Sequence, residues 1–387
     1  MTSIGSEPPE RPELPAPQQP ASAPQLPAPE WGWVRPPMAL QTVETEPLEY
    51  HRLLRGVANY RWWKPLLLLL LSAVYFGIFT VVISIAFIPI LMTDPSYLEG
   101  VVSGEGDVLD TQVPVSVLLS LVSIIIMIPS VILAMLTLGM RPTGRIWSVA
   151  GRLRGGMLGR LSLVALLAVI VMNIAGIAIE IAMNPASLSE PVSATNSSAD
   201  FDWIAAWTSL IIIVLLVPLQ ATAEEVVFRG LFMQVLGSWL KSPWFGIIIP
   251  SVGFALAHIY DIWGLLSVGA LGLVAGWLTW RTGGLEAAIA IHIVNNLIAF
   301  GFMTFAVGGE TAQVEATGGP GSFIGSLVGY ALFIWLVLRT FRKHGYGRSR
   351  IDLIQVPVTV PAVPVDPTVE YQAPQAPQAP QGPQQHG

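Results

Sequence analysis

The sequence predicts an all-α, polytopic integral membrane protein. Three observations carry that expectation. Of 387 residues, 53% are hydrophobic and 11% charged, where an ordinary soluble domain holds about 25% charged residues. The mean hydropathy is +0.62. About eight stretches are apolar over the ~20 residues a helix needs to cross a bilayer's hydrocarbon. Two function classes are excluded at once. A net charge of −6 and a pI near 5.4 leave no basic face for nucleic acid. The absence of Cys removes disulfides, thiolate catalysis, thiolate metal sites and iron–sulfur clusters.

Residues 1–47 are crowded with Pro, Gln, Ala and Glu, and residues 351–387 end in APQAPQAPQGPQQHG. Both lack the apolar content that offsets the entropy of ordering, so both are expected to be disordered tails, with tail-binding partners left open. No apolar stretch follows Met1, so no cleavable signal peptide is expected. Between the tails lies one membrane domain, residues 48–350.

Eight spans are expected, at roughly 65–92, 113–138, 161–183, 204–224, 244–261, 263–280, 285–306 and 321–339. The first is longer than needed and is expected to tilt or to end in an interfacial turn near Pro89. Trp62, Trp63, Trp203, Trp244 and Trp280 lie near span ends, as interfacial anchors do. The charges test the count. All 19 Lys and Arg residues fall before the first span, in 139–160, in 225–242, at Arg281, or after the last span. The alternate loops are acidic: Asp94, Glu99, Glu105, Asp107 and Asp110 in the first, Glu190, Asp200 and Asp202 in the second, Glu310 and Glu315 in the last. An even number of spans puts every cation on one side. By the positive-inside rule that side is the cytoplasm, with both termini there and the protein in a plasma membrane. The pair 244–261 and 263–280, joined at a tight outer turn by Tyr260 and Asp261, is the least secure part of this count.

Ionisable groups inside a bilayer are costly and mark function. Glu180 and Glu286 lie near span ends and can reach headgroups. Others cannot: Glu224, Glu225 and Arg229 in AEEVVFRGLF, Phe254 and His258 in GFALAHI, His292 and Asn296 in IAIHIVNNL. Glu225 and Arg229 are four apart and share a helix face, as do Phe254 with His258 and His292 with Asn296. Glu224 points about 100° away from Glu225, which gives it a different partner. His51, His344 and His386 lie in or beside the tails, so His258 and His292 are the intramembrane histidines. Glu224 precedes Ser242 by 18 residues and His258 follows it by 16. In an antiparallel hairpin turning at Lys241-Ser242-Pro243, the two side chains come level. His292, about ten residues past the Thr282-Gly283 turn, would sit ~15 Å deep. Bringing His258 to that depth conflicts with the boundaries drawn for the fifth span.

These strings resemble the three motifs of the CPBP (CAAX protease and bacteriocin-processing, or ABI) family, which includes the type II CAAX prenyl endopeptidases. The family patterns are E-E-x-x-x-R, F-x-x-x-H, and H-x-x-x-N or H-x-x-x-D. Here they read Glu224-Glu225-Val-Val-Phe-Arg229, Phe254-Ala-Leu-Ala-His258 and His292-Ile-Val-Asn295-Asn296. The resemblance covers roughly 204–306. It implies a glutamate-type intramembrane endopeptidase with no metal cofactor. Glu224 would activate a water, helped by His258. His292 and Asn296 would donate to the oxyanion, and Glu225, Arg229 and Phe254 would support the site. The substrate would be a membrane-associated peptide or protein, met in a conical cavity opening toward the cytoplasm. Prenylated C-terminal peptides are the eukaryotic branch's substrates; leader or signalling peptides suit a bacterial host.

The chemistry is coherent without the resemblance. Amide hydrolysis needs a base near the carbonyl and donors at the developing oxyanion. Rival readings stay open. Two His and two Glu can bind zinc, though H-E-x-x-H is absent. The same polar groups can form a proton path, or belong to a non-proteolytic membrane scaffold or immunity-type protein. Gly104-Glu105-Gly106-Asp107 and Tyr260-Asp261 imitate presenilin-type G-x-G-D and Y-D strings, but in reversed order and with the first in a polar loop. Asn196-Ser-Ser is a formal glycosylation acceptor read as loop chemistry.

Overall fold

The structure, a computed structural model, describes residues 38–58, 60–92, 95–103, 109–185, 201–307, 309–314 and 318–359. Glu105, Asp107, Glu190, Asn196, Asp200, Glu315 and His386 lie outside the described residues, as do the G-x-G-D string and most of both expected tails. Two units are distinguished, and every helix belongs to the one spanning Leu40–Val356. The other, Met1–Ala39 with Pro357–Gly387, contributes to the described residues only the outer ends of two strands.

The protein is mostly helical, as expected of an apolar chain that must satisfy its backbone within each segment. The helices are α1 (Lys64–Leu91), α2 (Pro95–Ser103), α3 (Pro114–Ile125), α4 (Met127–Thr137), α5 (Gly155–Met183), α6 (Trp203–Glu225), α7 (Met233–Trp239), α8 (Pro243–Leu256), α9 (Ile262–Thr282), α10 (Glu286–Thr304) and α11 (Pro320–His344). A π-helical stretch, Val226–Phe232, joins α6 to α7 in one rod. Strands β1 (Met38–Glu44) and β4 (Leu353–Thr359) pair, as do β2 (Leu48–Glu49) and β3 (Ser349–Arg350).

Among the described residues, seven helical segments are long and apolar enough to span: α1, α3–α4, α5, α6–α7, α9, α10 and α11. The expected fifth span, 244–261, is the exception. Its helix stops at Leu256 after 14 residues, a rise of ~21 Å against ~30 Å of hydrocarbon. His258 therefore lies past the end of α8, in the turn before α9. The helix of the first span ends at Leu91, two residues past Pro89, with Met92 in a turn. The expected tails are shorter than drawn, because 38–47 and 351–359 enter strands and loops. Thr45 N donates to Asp352 O at 2.8 Å and Asp352 N to Thr45 Oγ1 at 3.0 Å.

Small residues set the closest crossing. Gly176 and Gly325 meet where α5 crosses α11, and a Cβ on Gly325 would lie 2.5 Å from the Gly176 backbone. In lipid, where apolar surface gains little by helix association, such close backbone approach supplies the packing.

The two ends of the bundle differ. At the basic end a 3-10 turn, Tyr50–Gly56, is buried against α7. Tyr50 Oη donates to Ile146 O at 2.5 Å, and His51 Nε2 to Lys241 O at 3.0 Å. Arg145 forms a two-toothed pair with Asp352. Glu286 does not reach headgroups as expected. It is fully buried and accepts from Arg154 N, Nε and Nη2 at 2.8, 2.9 and 2.6 Å. The turn before it needs Gly283, whose φ of +69° is left-handed. Glu180, at the other end, accepts from Gly321 N at 3.1 Å.

Candidate functional site

Glu224 and Glu225 close α6 where the π-helical stretch begins. Such wide turns are uncommon and concentrate at functional sites. The turn carries Arg229, whose Nη1 donates to Glu225 Oε1 at 2.8 Å, with both side chains buried. The Arg229 guanidinium also stacks over the Phe254 ring, 4.4 Å from its centroid. Gly272 of α9 makes room for it, since a Cβ there would lie 3.2 Å from Arg229 Nη2.

His292, on α10, binds both carboxylates. Its Nδ1 is 2.7 Å from Glu225 Oε1 and its Nε2 is 3.2 Å from Glu224 Oε2. Glu224 and Glu225 thus share His292, while Arg229 Nη1 pairs with Glu225. The divergence of the two carboxylates on the helix lets them grip opposite nitrogens of one ring. The 3.2 Å approach lacks hydrogen-bond alignment, and Glu224 Oε2 is buried without a hydrogen-bond partner among the described residues, as are Glu225 Oε2 and Arg229 Nη2.

His258 lies across the Phe254 ring from His292. Ring centroids are 4.8 Å apart for Phe254 and His258 and 5.6 Å for Phe254 and His292, both edge-to-face. His258 Nδ1 is 2.8 Å from Phe254 O. A carbonyl oxygen only accepts, so Nδ1 carries a proton, and the tautomer this selects has its lone pair on Nε2. The four-residue spacing of Phe254 and His258 thus fixes a tautomer as well as a shared face.

Asn296 Nδ2 donates to Gln220 Oε1 at 3.3 Å, and Asn295 Nδ2 to Asn296 Oδ1 at 3.3 Å. Sequence reading did not single out Gln220 or Asn295. The signal for Gln220 was present: it precedes Glu224 by four residues on an apolar helix. Tyr260 and Gln313 were also missed as site residues. Gln313 Nε2 donates to Tyr260 Oη at 3.3 Å, a pairing across 53 residues that no local spacing announces.

All of these polar groups except the buried Glu225 and Arg229 line one cavity of about 730 Å³. Apart from Tyr97, Ser120 and Ser123, its remaining side chains are apolar, including Leu119, Ile124, Met127, Leu271 and Phe300. The cavity runs from His292 away from the basic end, toward Tyr97, Leu109, Tyr260 and Gln313. The expected opening toward the basic end is not found. That end is closed by the Tyr50–Gly56 turn and the Arg145 and Arg154 ion pairs. Among the described residues, no group of three or more His, Cys, Asp and Glu side chains is arranged to hold a metal ion.

Glu224, two imidazoles and the Asn296 amide thus line one cavity, with Glu225 and Arg229 buried behind them. Residues 205–298 match the family described as type II CAAX prenyl endopeptidase Rce1-like. The Rce1-like segment runs from the start of α6 into α10. It contains Glu224, Glu225, Arg229, Phe254, His258, His292 and Asn296. A stretch of 97 residues is 31% identical to YyaK of Bacillus subtilis (strain 168), described as an uncharacterized protein. That match covers 23% of this chain and 32% of the relative, so the chain spans about a third of the curated protein it matches. No solved structure matches the chain. The Rce1-like segment supplies the polar wall of the cavity. The facing wall, from Tyr97 to Met127, lies outside it.

Proposed function

We propose that this multi-pass membrane protein is an intramembrane endopeptidase of the plasma membrane, cleaving a membrane-associated peptide or protein by metal-independent, glutamate-activated hydrolysis. The observation that carries the reading is the convergence of Glu224, His258, His292 and Asn296 on one largely apolar cavity. Glu224 takes a proton from water, whose oxygen attacks the scissile carbonyl carbon. The carbon–nitrogen bond then breaks, and the proton passes to the departing amine. His258 Nε2 accepts from the same water and orients it.

His292 is held between Glu224 and Glu225, so it steadies the base and shares its proton. Asn296 is the better-placed oxyanion donor, because its Nδ2 makes only a long 3.3 Å contact, to Gln220 Oε1. Arg229 offsets the charge of Glu225 and keeps Glu225 fixed on His292. Phe254 spaces the two imidazoles and covers Arg229.

A test is Glu224→Gln, which keeps shape and removes the base. Loss of a general base costs about 10²–10⁴ in rate. Comparing membrane proteomes of wild-type and variant cells should show cleavage ends that vanish in the variant. One observation favours a non-catalytic scaffold: His292 already spends both nitrogens on the carboxylates. An unchanged proteome with an intact cellular role in the variant would select that reading. A chelator should leave cleavage intact; loss that zinc restores would replace the metal-free mechanism.

A further inference from the structure

The cavity has one polar floor and two possible sides from which a substrate can arrive. Its lining reaches from Glu224 and His292 to Tyr97 and Gly100 on α2, Leu109, the α8–α9 turn at Ile259 and Tyr260, and Gln313. The far pieces are tied together: Gln313 N donates to Leu109 O at 2.9 Å, and Thr111 N to Thr311 O at 2.9 Å. Ile259, which lines the cavity, is 57% exposed. In the other direction the floor is backed by buried structure. Arg229 and Glu225 are sealed beneath it, Tyr50 and Leu53 are fully buried, and Arg154 pins Glu286 at the start of α10.

The connecting segments at the two ends differ in charge sign. At the cavity end, 92–113, 184–202, 257–261 and 305–319 contain no Lys or Arg. At the other end stand Lys64, Arg141, Arg145, Arg152, Arg154, Lys241, Arg281 and the basic run from Arg339 to Arg350. Short connecting loops rich in Lys and Arg stay in the cytoplasm. Among the described residues, no Lys or Arg lines the cavity, so no fixed cation there matches the carboxylate of a free C-terminus. The segments that carry Tyr97, Leu109 and Gln313 to its far end hold Glu99, Asp110 and Glu310 instead.

We propose that the cavity takes its substrate from the extracytoplasmic side, and that the substrate is an internal stretch of membrane-anchored polypeptide with neutral or basic flanks. This rests on the endopeptidase reading for the cleavage step, but the side of access does not depend on it. A cytoplasmic C-terminal tail is the wrong substrate on both counts: wrong side, and wrong terminal charge for the cavity.

The absence of Cys makes the test direct. Ile259→Cys places a thiol in the cavity, and Lys343→Cys places one at the basic end. Both go into the full chain in spheroplasts, probed with a membrane-impermeant maleimide. Two membrane-anchored reporters carry the same internal peptide, one facing outward and one inward. The expected result is labelling of Ile259→Cys in intact spheroplasts, labelling of Lys343→Cys only after permeabilisation, and cleavage of the outward reporter alone, lost in Glu224→Gln. Labelling with the opposite pattern overturns the side of access and leaves hydrolysis standing. Glu224-dependent cleavage of the inward reporter overturns it equally. Outside labelling with neither reporter cut keeps the access side and removes the substrate class along with the hydrolase reading.

Discussion

The two ends of this bundle are built on opposite rules. At the basic end, polar groups are buried in pairs with short contacts: Glu286 with Arg154, Asp352 with Arg145, Tyr50 with the Ile146 carbonyl. At the cavity end, polar groups face an open volume and meet over longer contacts. Asn296 with Gln220 and Gln313 with Tyr260 are both at 3.3 Å. A buried pair that loses one member leaves an unsatisfied charge, whereas a cavity-lining group that is lost leaves space for water. The comparison assigns stability to one end and chemistry to the other, and each variant below should move one readout without the other.

Arg154→Ala tests the first half most severely. Its guanidinium provides two of the three hydrogen bonds to Glu286 and also holds Thr282 O at 3.1 Å. Removing it strands a buried carboxylate, a loss of about 3–5 kcal/mol. Thermal unfolding in detergent should shift strongly downward, while cleavage per folded molecule stays at the wild-type level. Equal losses in stability and in specific activity would break the division between the ends.

Asn296→Ala tests the second half. An oxyanion donor is worth about 10²–10³ in kcat, and its loss here leaves unmade only two long 3.3 Å contacts, to Gln220 Oε1 and from Asn295 Nδ2. The unfolding temperature should stay near wild type. Gln220→Ala should lower kcat less, because it acts through Asn296. If both variants instead unfold the protein, the amides are structural struts.

How much of this was legible in advance follows the same division. Pairs within a helix are legible from four-residue spacing: Glu225 with Arg229, Phe254 with His258, and equally Gln220 with Glu224. The hairpin arithmetic around Ser242 brought Glu224 level with His258, while the place of His292 beside them depended on how α10 packs. What spacing could not supply was contact across distant segments. His292 bridging both carboxylates, Arg154 reaching Glu286 across 132 residues, and Gln313 meeting Tyr260 depend on helix rotation and packing. The direction of the cavity was misread for the same reason. The buried Tyr50–Gly56 turn that closes the basic end lies in a mixed polar and apolar stretch that announces no span. The short α8 was misread because a 14-residue apolar helix and a full span differ only in where the turn begins.

A smaller effect comes from Asp352, and it depends on pH. Burial by itself would push this carboxyl up, but Arg145 and Arg350 outweigh it and hold it below the usual carboxylate range. Because the folded value is below the unfolded one, the stabilisation is complete above the unfolded value, about 3.9. It is lost as pH falls through the depressed folded value. Asp352→Asn should therefore cost about 2 kcal/mol near neutrality, the worth of hydrogen bonds to charged groups. The gap to wild type should close in strong acid. Unfolding curves at neutral and acid pH check the sign; a gap that widens in acid would reverse it.

The smallest expected effect lies at the cavity end, and it tests whether that end is merely less stable throughout. Asp202 caps α6, accepting from Ile204 N at 2.7 Å and Ala205 N at 3.2 Å. Its own backbone N–H is held by Gln112 Oε1 at 2.7 Å, which alanine would preserve. Asp202→Ala thus removes a cap and little else, about 1 kcal/mol. Glu224 lies 22 residues further along the chain, some ~33 Å up the helix, so cleavage should not change. Combined with Arg154→Ala, the losses should add, since the two sites share no partner. A cap loss as large as that of Arg154→Ala would mean that the start of α6 is as tightly coupled to the bundle as the basic end. The separation of a stabilising end from a working end would then hold only for the cavity walls, not for the loops that frame them.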